Sequence, residues 1–171
     1  MTTIMATPPQ QATARFDALY RDAASDLFAY VVTIVRDRQA AEDVTHAAFE
    51  KAYRKQRSYK EKKGSERAWL FGIARNAALD ELRRRKRTAS LHGEPPDPEL
   101  PEPDEDDAAV RRSAVRAAIA ELDPRDRELI ALKYYAGLSN EEIARVLGVS
   151  PSNAGTRLHR AINRLRESCN A

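Results

Sequence analysis

A group of polar and basic residues near the carboxyl end of the chain has the types and spacing of a DNA-reading surface. They follow the outer face of one predicted helix: Ser152, Asn153, Thr156, Arg157 and Arg160. Short polar side chains at the start of such a helix can hydrogen-bond base edges, and arginine can bind guanine or phosphate. The pattern predicts a helix that lies in the major groove of DNA.

The elements that must position this helix form a helix-turn-helix. Ser139 is a suitable N-cap for its first helix, and Glu142 completes a capping box. Gly148 can take the left-handed conformation that ends this helix, and Pro151 fits the first position of the second. We expect Ser139 to join the residues that contact DNA. The alternative is a helical hairpin with a solvated basic face.

A second basic surface is predicted in the first half of the chain, where a basic loop precedes a long helix. Its candidate nucleic-acid ligands are Arg57, Tyr59 and Lys60 in the loop and Arg75, Asn76, Asp80, Arg83 and Arg84 on the helix. Basic side chains interleaved with an aromatic ring suit single-stranded nucleic acid, because an unpaired base can stack there. The alternative is a solvated basic surface with Tyr59 and Trp69 in the core.

Charge is distributed unevenly along the 171 residues, although the net charge is only +3. Residues 91–109 contain eight acidic residues, five prolines and no Lys or Arg, whereas the segments on either side are basic. Such a strip cannot build a core and should be an extended, self-repelling linker. We predict an all-α fold of two small helical domains joined by a flexible, acidic, Pro-rich linker, the second domain containing the helix-turn-helix. The expected boundaries are a disordered tail at 1–13, a first domain at 14–88, the linker at 89–108 and a second domain at 109–171.

Composition argues against several classes of function. No run of 18 apolar residues and no secretory signal pattern is present, so we expect a cytoplasmic protein without membrane insertion. The single cysteine and three histidines lack metal-ligand spacing, so we expect no metal and no cofactor. Glu42 and Asp43 are adjacent on a helix and point in different directions, so they are no acid–base dyad. We therefore expect no enzymatic activity.

Two pairs of segments resemble bacterial RNA polymerase sigma factors of the extracytoplasmic-function (ECF) group of the sigma-70 family. The first pair is DRQAAEDVTHAAFEKAY at 37–53 and WLFGIARNAALDELRRRKR at 69–87. The second is LDPRDRELIALKYYAGLSNEEIARVLGVS at 122–150 and RLHRAINRLRE at 157–167. The resemblance covers about 14–89 and 109–168, nearly everything outside the tail and the acidic strip.

The resemblance implies an alternative sigma factor that binds core RNA polymerase and directs it to particular promoters. The matching polymerase-binding residues are Asp37, Ala41, Glu42, Asp43 and Val44. The loop and long helix of the first domain would read the melted −10 element, and the helix-turn-helix would read the duplex −35 element. The family also implies an anti-sigma partner. At 153–156 the sequence Asn-Ala-Gly-Thr replaces the Thr-Val-Lys-Ser of many members.

One alternative is a stand-alone helix-turn-helix regulator that binds a duplex operator and does not need the acidic Glu42–Asp43 patch. Another is an interaction protein that is held by an inhibitor.

Overall fold

A computed structural model describes residues 9–92 and 115–170, and within these ranges every regular element is helical. The all-α prediction is therefore confirmed. The α-helices are α1 (Pro9–Val35), α2 (Arg38–Lys55), α3 (Glu66–His92), α4 (115–121), α5 (Pro124–Tyr134), α6 (Asn140–Leu147) and α7 (Pro151–Asn170). Two short 3₁₀ turns, Gln56–Ser58 and Glu61–Lys63, connect α2 to α3.

Helices α1, α2 and α3 pack together as the first domain, because each has apolar residues at helical spacing. Leu27, Tyr30, Leu70 and Phe71 are completely buried. Full burial of a large apolar side chain contributes about 1.5–3 kcal/mol, so residues of this kind hold the bundle together.

Helices α5, α6 and α7 pack together as the second domain around fully buried leucines and Ile143. Asp123 caps α5 by accepting a hydrogen bond from the Arg125 amide at 2.8 Å, and Pro124 occupies the first turn. Asp126 of α5 forms an ion pair with Arg164 of α7. The cap fixes where α5 begins, and the ion pair joins it to the helix that carries the DNA-reading face.

Two predicted boundaries differ from the structure where it describes them. Residues 9–13, which we predicted to be disordered, form the start of α1, because Pro9 is tolerated in a first turn and glutamine and alanine favour helix. Residues 89–92, which we assigned to the linker, continue α3. The rest of the predicted tail, at 1–8, and the rest of the acidic linker lie outside the described residues, as do 109–114.

The two domains contact each other in this structure. Helix α1 packs against α5, and α3 packs against α6. The buried residues of both domains form one continuous apolar cluster. None of the helices within 9–92 and 115–170 is long and apolar enough to cross a membrane.

Candidate nucleic-acid interface

The first turns of α2 carry the residues predicted to bind polymerase, and the structure divides them into two groups. Ala41 is fully buried and Val44 nearly so, which places both side chains in the core. Asp43 is exposed, and the Glu42 carboxylate forms only a half-exposed ion pair with Arg38 at 3.4 Å. Within this segment, the acidic side chains that a partner can reach are Glu42 and Asp43.

Asp37 has a different role from its two acidic neighbours. Its carboxylate caps α2 by accepting a hydrogen bond from the Ala40 amide at 2.7 Å. It also lies 3.3 Å from a guanidinium nitrogen of Arg85 on α3. Asp37 therefore fixes the start of α2 relative to α3, and so positions the acidic pair indirectly.

The basic loop between α2 and α3 is ordered by Tyr59. The Tyr59 hydroxyl donates a hydrogen bond to the Gly64 carbonyl at 3.0 Å, and its ring packs against Trp69 with centroids 5.6 Å apart. The guanidinium of Arg15 also lies over the Tyr59 ring, 5.2 Å from the ring centroid. Burial, with help from the nearby Glu66 carboxylate, raises the pKa of Tyr59. The ring is thus held in place while Arg57 and Lys60 remain exposed.

The polar face of α3 contains the other predicted −10 ligands. Asn76 is exposed and lies next to Tyr59 and Lys60 of the basic loop. Arg83 pairs with Asp80 at 2.7 Å, and Arg84 pairs with Glu81 at 2.7 Å. Such exposed pairs contribute little to stability and can exchange their carboxylate for a phosphate. Arg75 is different: its Nε donates to Glu128 of α5 at 2.6 Å.

A cavity of about 380 Å³ lies between the loop, α3 and α6. One wall carries Tyr59, Lys60, Trp69 and Asn76 from the first domain, and the opposite wall carries Glu142, Arg145 and Val146 from the second. The structure therefore brings together four residues of the −10 candidate surface, of which the sequence predicted three, and places α6 directly across from them.

The helix-turn-helix forms as the sequence predicted. The Ser139 hydroxyl accepts from the Glu142 amide at 3.2 Å, and the Glu142 carboxylate accepts from the Ser139 amide at 3.0 Å. Gly148 ends α6 with φ of 68°, in the left-handed region. Ser150 caps α7 by accepting from the Asn153 amide at 3.2 Å. These caps set the angle at which the second helix leaves the turn.

The outer face of α7 is open to solvent. Ser152, Asn153, Thr156 and Arg160 are exposed, and Arg157 is half-buried. On the opposite face Ala154, Leu158 and Ala161 are buried. This division between polar and apolar faces is what a helix needs to rest on its own domain and present side chains to a groove. Ser139 lies apart from them at the start of α6, where its hydroxyl already serves the capping box.

Three residues with a role at this interface were not predicted. The Glu128 carboxylate accepts hydrogen bonds from Arg75 and Tyr30. Arg67 donates to the Ala136 carbonyl just after α5. Glu142 accepts a hydrogen bond from the Ser65 amide in addition to its capping-box bond. Each contact joins residues more than 50 positions apart, so local sequence pattern contains no signal for the partner. Glu128 directly precedes the apolar residues Leu129 and Ile130, and this is the one sequence signal that indicates a charge near the core.

No group of three or more His, Cys, Asp or Glu side chains is arranged to hold a metal ion among the residues that the structure describes.

Comparison with known proteins identifies the two domains. Residues 19–88 match the family described as Sigma-70 region 2, and residues 112–165 match the family described as Sigma-70, region 4. The chain is 35% identical over 151 residues to the ECF RNA polymerase sigma factor SigL of Mycobacterium tuberculosis, a match that covers 87% of this chain and 85% of SigL. It is 34% identical over 163 residues to the RNA polymerase sigma factor CarQ of Myxococcus xanthus, covering 90% of this chain and 92% of CarQ.

Two solved structures have a similar fold. The sigma factor RpoE of Bartonella quintana, solved in complex with the anti-sigma factor NepR, matches with a TM-score of 0.77 and 26% identity, covering 92% of this chain and 98% of RpoE. CnrH, solved in complex with the cytosolic domain of CnrY, matches with a TM-score of 0.64 and 25% identity, covering 92% of both chains. The two matched regions and the extent of the SigL identity show that the chain belongs to the ECF group of the sigma-70 family.

Proposed function

We propose that this chain, as an alternative sigma factor, directs core RNA polymerase to particular promoters through three separate surfaces. The observation that carries the proposal is the presence of both sigma-70 regions in one chain, each with several of its candidate contact side chains exposed. The family comparisons favour this function over a stand-alone helix-turn-helix regulator, since such a regulator needs no sigma-70 region 2.

Core polymerase binds the start of α2 in this proposal. Glu42 and Asp43 offer two carboxylates to a basic partner surface. Asp37 caps the helix, and the buried side chains of Ala41 and Val44 pack it against the core. Opposite charges at such a contact steer association and define the partner more than they add raw affinity.

The −10 element, once melted, binds the loop and the polar face of α3. The cavity beside Tyr59 and Trp69 has aromatic walls for an unpaired base, and Asn76 offers an amide for its edge. Exposed Arg57, Lys60, Arg83 and Arg84 are placed for backbone phosphates, together with Arg75 once it is free of Glu128. Asp80 keeps Arg83 in position until a phosphate replaces it.

The −35 element binds as duplex DNA against the outer face of α7. Ser152, Asn153 and Thr156 read base edges near the helix start, and Arg157 and Arg160 bind guanine or phosphate. Ser139, at the start of α6, would bring its hydroxyl near the DNA backbone, while its amide stays bound to Glu142.

We further infer that the chain acts without enzymatic chemistry of its own, in the cytoplasm, and under an anti-sigma factor. The inference of an inhibitor follows from the two similar structures, which are complexes of a sigma factor with NepR and with the cytosolic domain of CnrY.

Run-off transcription on genomic fragments from the source organism, with core polymerase, tests the proposal. Discrete start sites should appear only when chain and core are both present. The double variant Glu42→Lys and Asp43→Lys should abolish them, whereas Asp17→Lys, a single charge reversal at an exposed site on α1, should not. Tight, specific binding of a duplex site by the chain alone, or full activity of the double variant, would contradict the proposal.

A further inference from the structure

Gly155 leaves a gap on one flank of α7, at the edge of the face that we assign to −35 DNA. It lies three positions after Ser152 and directly before Thr156, and residues three apart are neighbours on a helix surface. Its backbone belongs to the continuous helix Pro151–Asn170, so no turn requires glycine at this position. What glycine provides is the absence of a side chain beside two candidate base-reading residues.

The side chain of Asn140, on the other helix of the helix-turn-helix, borders this gap. A Cβ placed on Gly155 would lie 3.5 Å from Asn140 Nδ2. This distance is an ordinary van der Waals contact, so a methyl group fits without moving the amide. A longer side chain would extend from the Cβ toward the start of α7 and would compete with the amide for the same space.

The side-chain amide of Asn140 is available for a ligand. Asn140 is exposed, and its side chain has no hydrogen-bond partner among the residues that the structure describes. Its neighbours differ, because the Ser139 hydroxyl and the Glu142 carboxylate each accept from the other's backbone amide in the capping box. A side-chain amide offers two donors on nitrogen and an acceptor on oxygen. Asn140 therefore keeps its full hydrogen-bonding capacity.

The position of Asn140 along α7 favours a contact with base edges. In helix-turn-helix proteins the first turns of the second helix reach the base edges, and Gly155 lies in these turns. Farther along the same flank, four positions after Gly155, His159 already has a partner, because its Nε2 lies 3.2 Å from Asn163 Nδ2. The free amide on this flank is thus at the end of α7 that reads DNA.

The chemistry of the amide favours adenine over a phosphate. In the major groove adenine presents an acceptor at N7 and a donor at N6, and asparagine can bind both at once. Charged donors bind phosphate more strongly than an uncharged amide does, and α7 already has Arg157 and Arg160 for that purpose.

We propose that Asn140 of α6 is a further base-reading residue of the −35 surface, which binds adenine through its side-chain amide, and that Gly155 is a positioning residue that leaves room for this amide. The proposal rests on the proposed function, in which the outer face of α7 binds duplex −35 DNA. Helical periodicity did not indicate Asn140, since its contact with Gly155 joins two different helices.

Two variants act on the amide in different ways. Asn140→Ala removes it and introduces a residue that favours helix. Gly155→Met keeps the amide but fills the space beside it with a long, uncharged side chain. Helix content and thermal unfolding, both measured by circular dichroism, establish that each variant is folded.

Each of these variants has a matched control. Gly155→Ala, like Gly155→Met, raises helix propensity, but its methyl group leaves the amide in place. Gln11→Ala also removes an exposed side-chain amide, on α1 and outside the surfaces that we assign to DNA or polymerase.

The measurement is transcription by core polymerase with the full chain from a promoter library randomised at the −35 element, with the transcripts counted by sequencing. Asn140→Ala should reduce the preference for adenine on one strand at one position by about 5- to 150-fold, the discrimination that one amide–base pair provides. Gly155→Met should reduce the preference at that same position, whereas Gly155→Ala and Gln11→Ala should leave it unchanged. Combining Asn140→Ala with Gly155→Met should cause no further loss at that position.

The restriction of the loss to one position separates base reading from other roles of Asn140. An equal loss for all −35 sequences would indicate a phosphate contact or a weakened helix-turn-helix and would overturn the proposal. An unchanged sequence profile in folded Asn140→Ala would overturn it too, as would a change in Gly155→Met at a different position only.

The role of Asn140 and the proposed function fail in different ways. If the original chain with core polymerase has a −35 preference that Asn140→Ala leaves intact, only the role of Asn140 is wrong. If the original chain supports no promoter-specific transcription, the proposed function is wrong, and the role of Asn140 is wrong with it.

Discussion

Single carboxylates on the start of α2 have separate roles although they lie within seven residues of one another. Asp37 faces the protein, as the N-cap of α2 and the partner of Arg85, whereas Asp43 faces solvent. Residue type alone could not separate them, since both match the polymerase-binding segment of the family. The polymerase-binding assignment therefore remains a prediction, and these two residues offer a way to test it.

Asp37→Ala should lower the free energy of unfolding by about 1 kcal/mol, the usual effect of removing an N-cap. Asp37→Asn should restore most of this loss, because asparagine caps as well as aspartate does. Asp43→Ala should leave stability unchanged and weaken binding to core polymerase. Chemical denaturation and a polymerase pull-down measure the two effects. A stability loss in Asp43→Ala equal to that in Asp37→Ala would argue against the division of roles.

Helix α7, which carries the candidate −35 residues, follows one glycine and contains another, and the two differ in backbone conformation. Gly148 has a positive φ that an L side chain adopts only with strain, whereas Gly155 lies inside α7 with a helical backbone. A Cβ at Gly155 would lie 3.5 Å from Asn140 Nδ2, an ordinary contact. Gly155 therefore costs helix propensity and has no steric reason to be glycine.

Gly148→Ala should lower the stability of the second domain by about 1–2 kcal/mol, because alanine is strained in the left-handed region. Gly155→Ala should raise stability by up to about 1 kcal/mol, the difference in helix propensity. Thermal unfolding of the two variants measures both. The interpretation is contradicted if the two substitutions change stability in the same direction.

The exposed face of α7 should determine which −35 sequence is used. Asn153→Ala should relax base preference at one position, at a cost of about 1–3 kcal/mol in discrimination, if its amide reads a base edge. Arg160→Ala should weaken binding to all sequences alike if it contacts phosphate. Transcription from a promoter library randomised at the −35 element distinguishes these outcomes; an unchanged sequence profile in Asn153→Ala would remove Asn153 from the reading surface.

For the molecule as a whole, hydrogen-bonded carboxylates within and between the domains make stability depend on pH. Glu142 has a lowered pKa in the folded chain, and so has Glu81, whose main cause is the hydrogen bond from Arg84. A group whose pKa is depressed by folding contributes stability above its unfolded pKa and loses that contribution as pH falls through the folded value. Both carboxylates therefore stabilise the fold at neutral pH and cease to do so in acid.

The free energy of unfolding should be flat from neutral pH to near the ordinary glutamate value of 4.5 and should decrease below it. Glu142→Gln should reduce the acid-dependent part of the decrease, because it removes one of the titrating links. Denaturant unfolding over a pH series provides the measurement. Identical pH profiles for the variant and the original chain would show that Glu142 contributes nothing to the dependence.

The sequence by itself determined the helical fold and the helix-turn-helix. Periodic apolar residues, the Ser139–Glu142 box, Gly148 and Pro151 act on positions close to them in the sequence, so their structural effects are local and can be predicted from it. The two pairs of family-like segments also identified the sigma-70 family before any contact was known. The sequence analysis underestimated the lengths of α1 and α3, because helices that are supported by tertiary packing extend past the residues where local signals end.

Only the tertiary structure decided which predicted residues are accessible and what they touch. Burial of Ala41 and Val44, the capping role of Asp37 and the pairing of Arg75 with Glu128 all depend on which helix lies opposite. A local pattern states that a charge is present on a helix face, but its partner across 53 residues of chain is chosen by packing. For that reason the sequence predicted two DNA-reading surfaces, while the packing of α5 and α6 against α1 and α3 showed that Arg75, a candidate residue of one of them, is paired with Glu128.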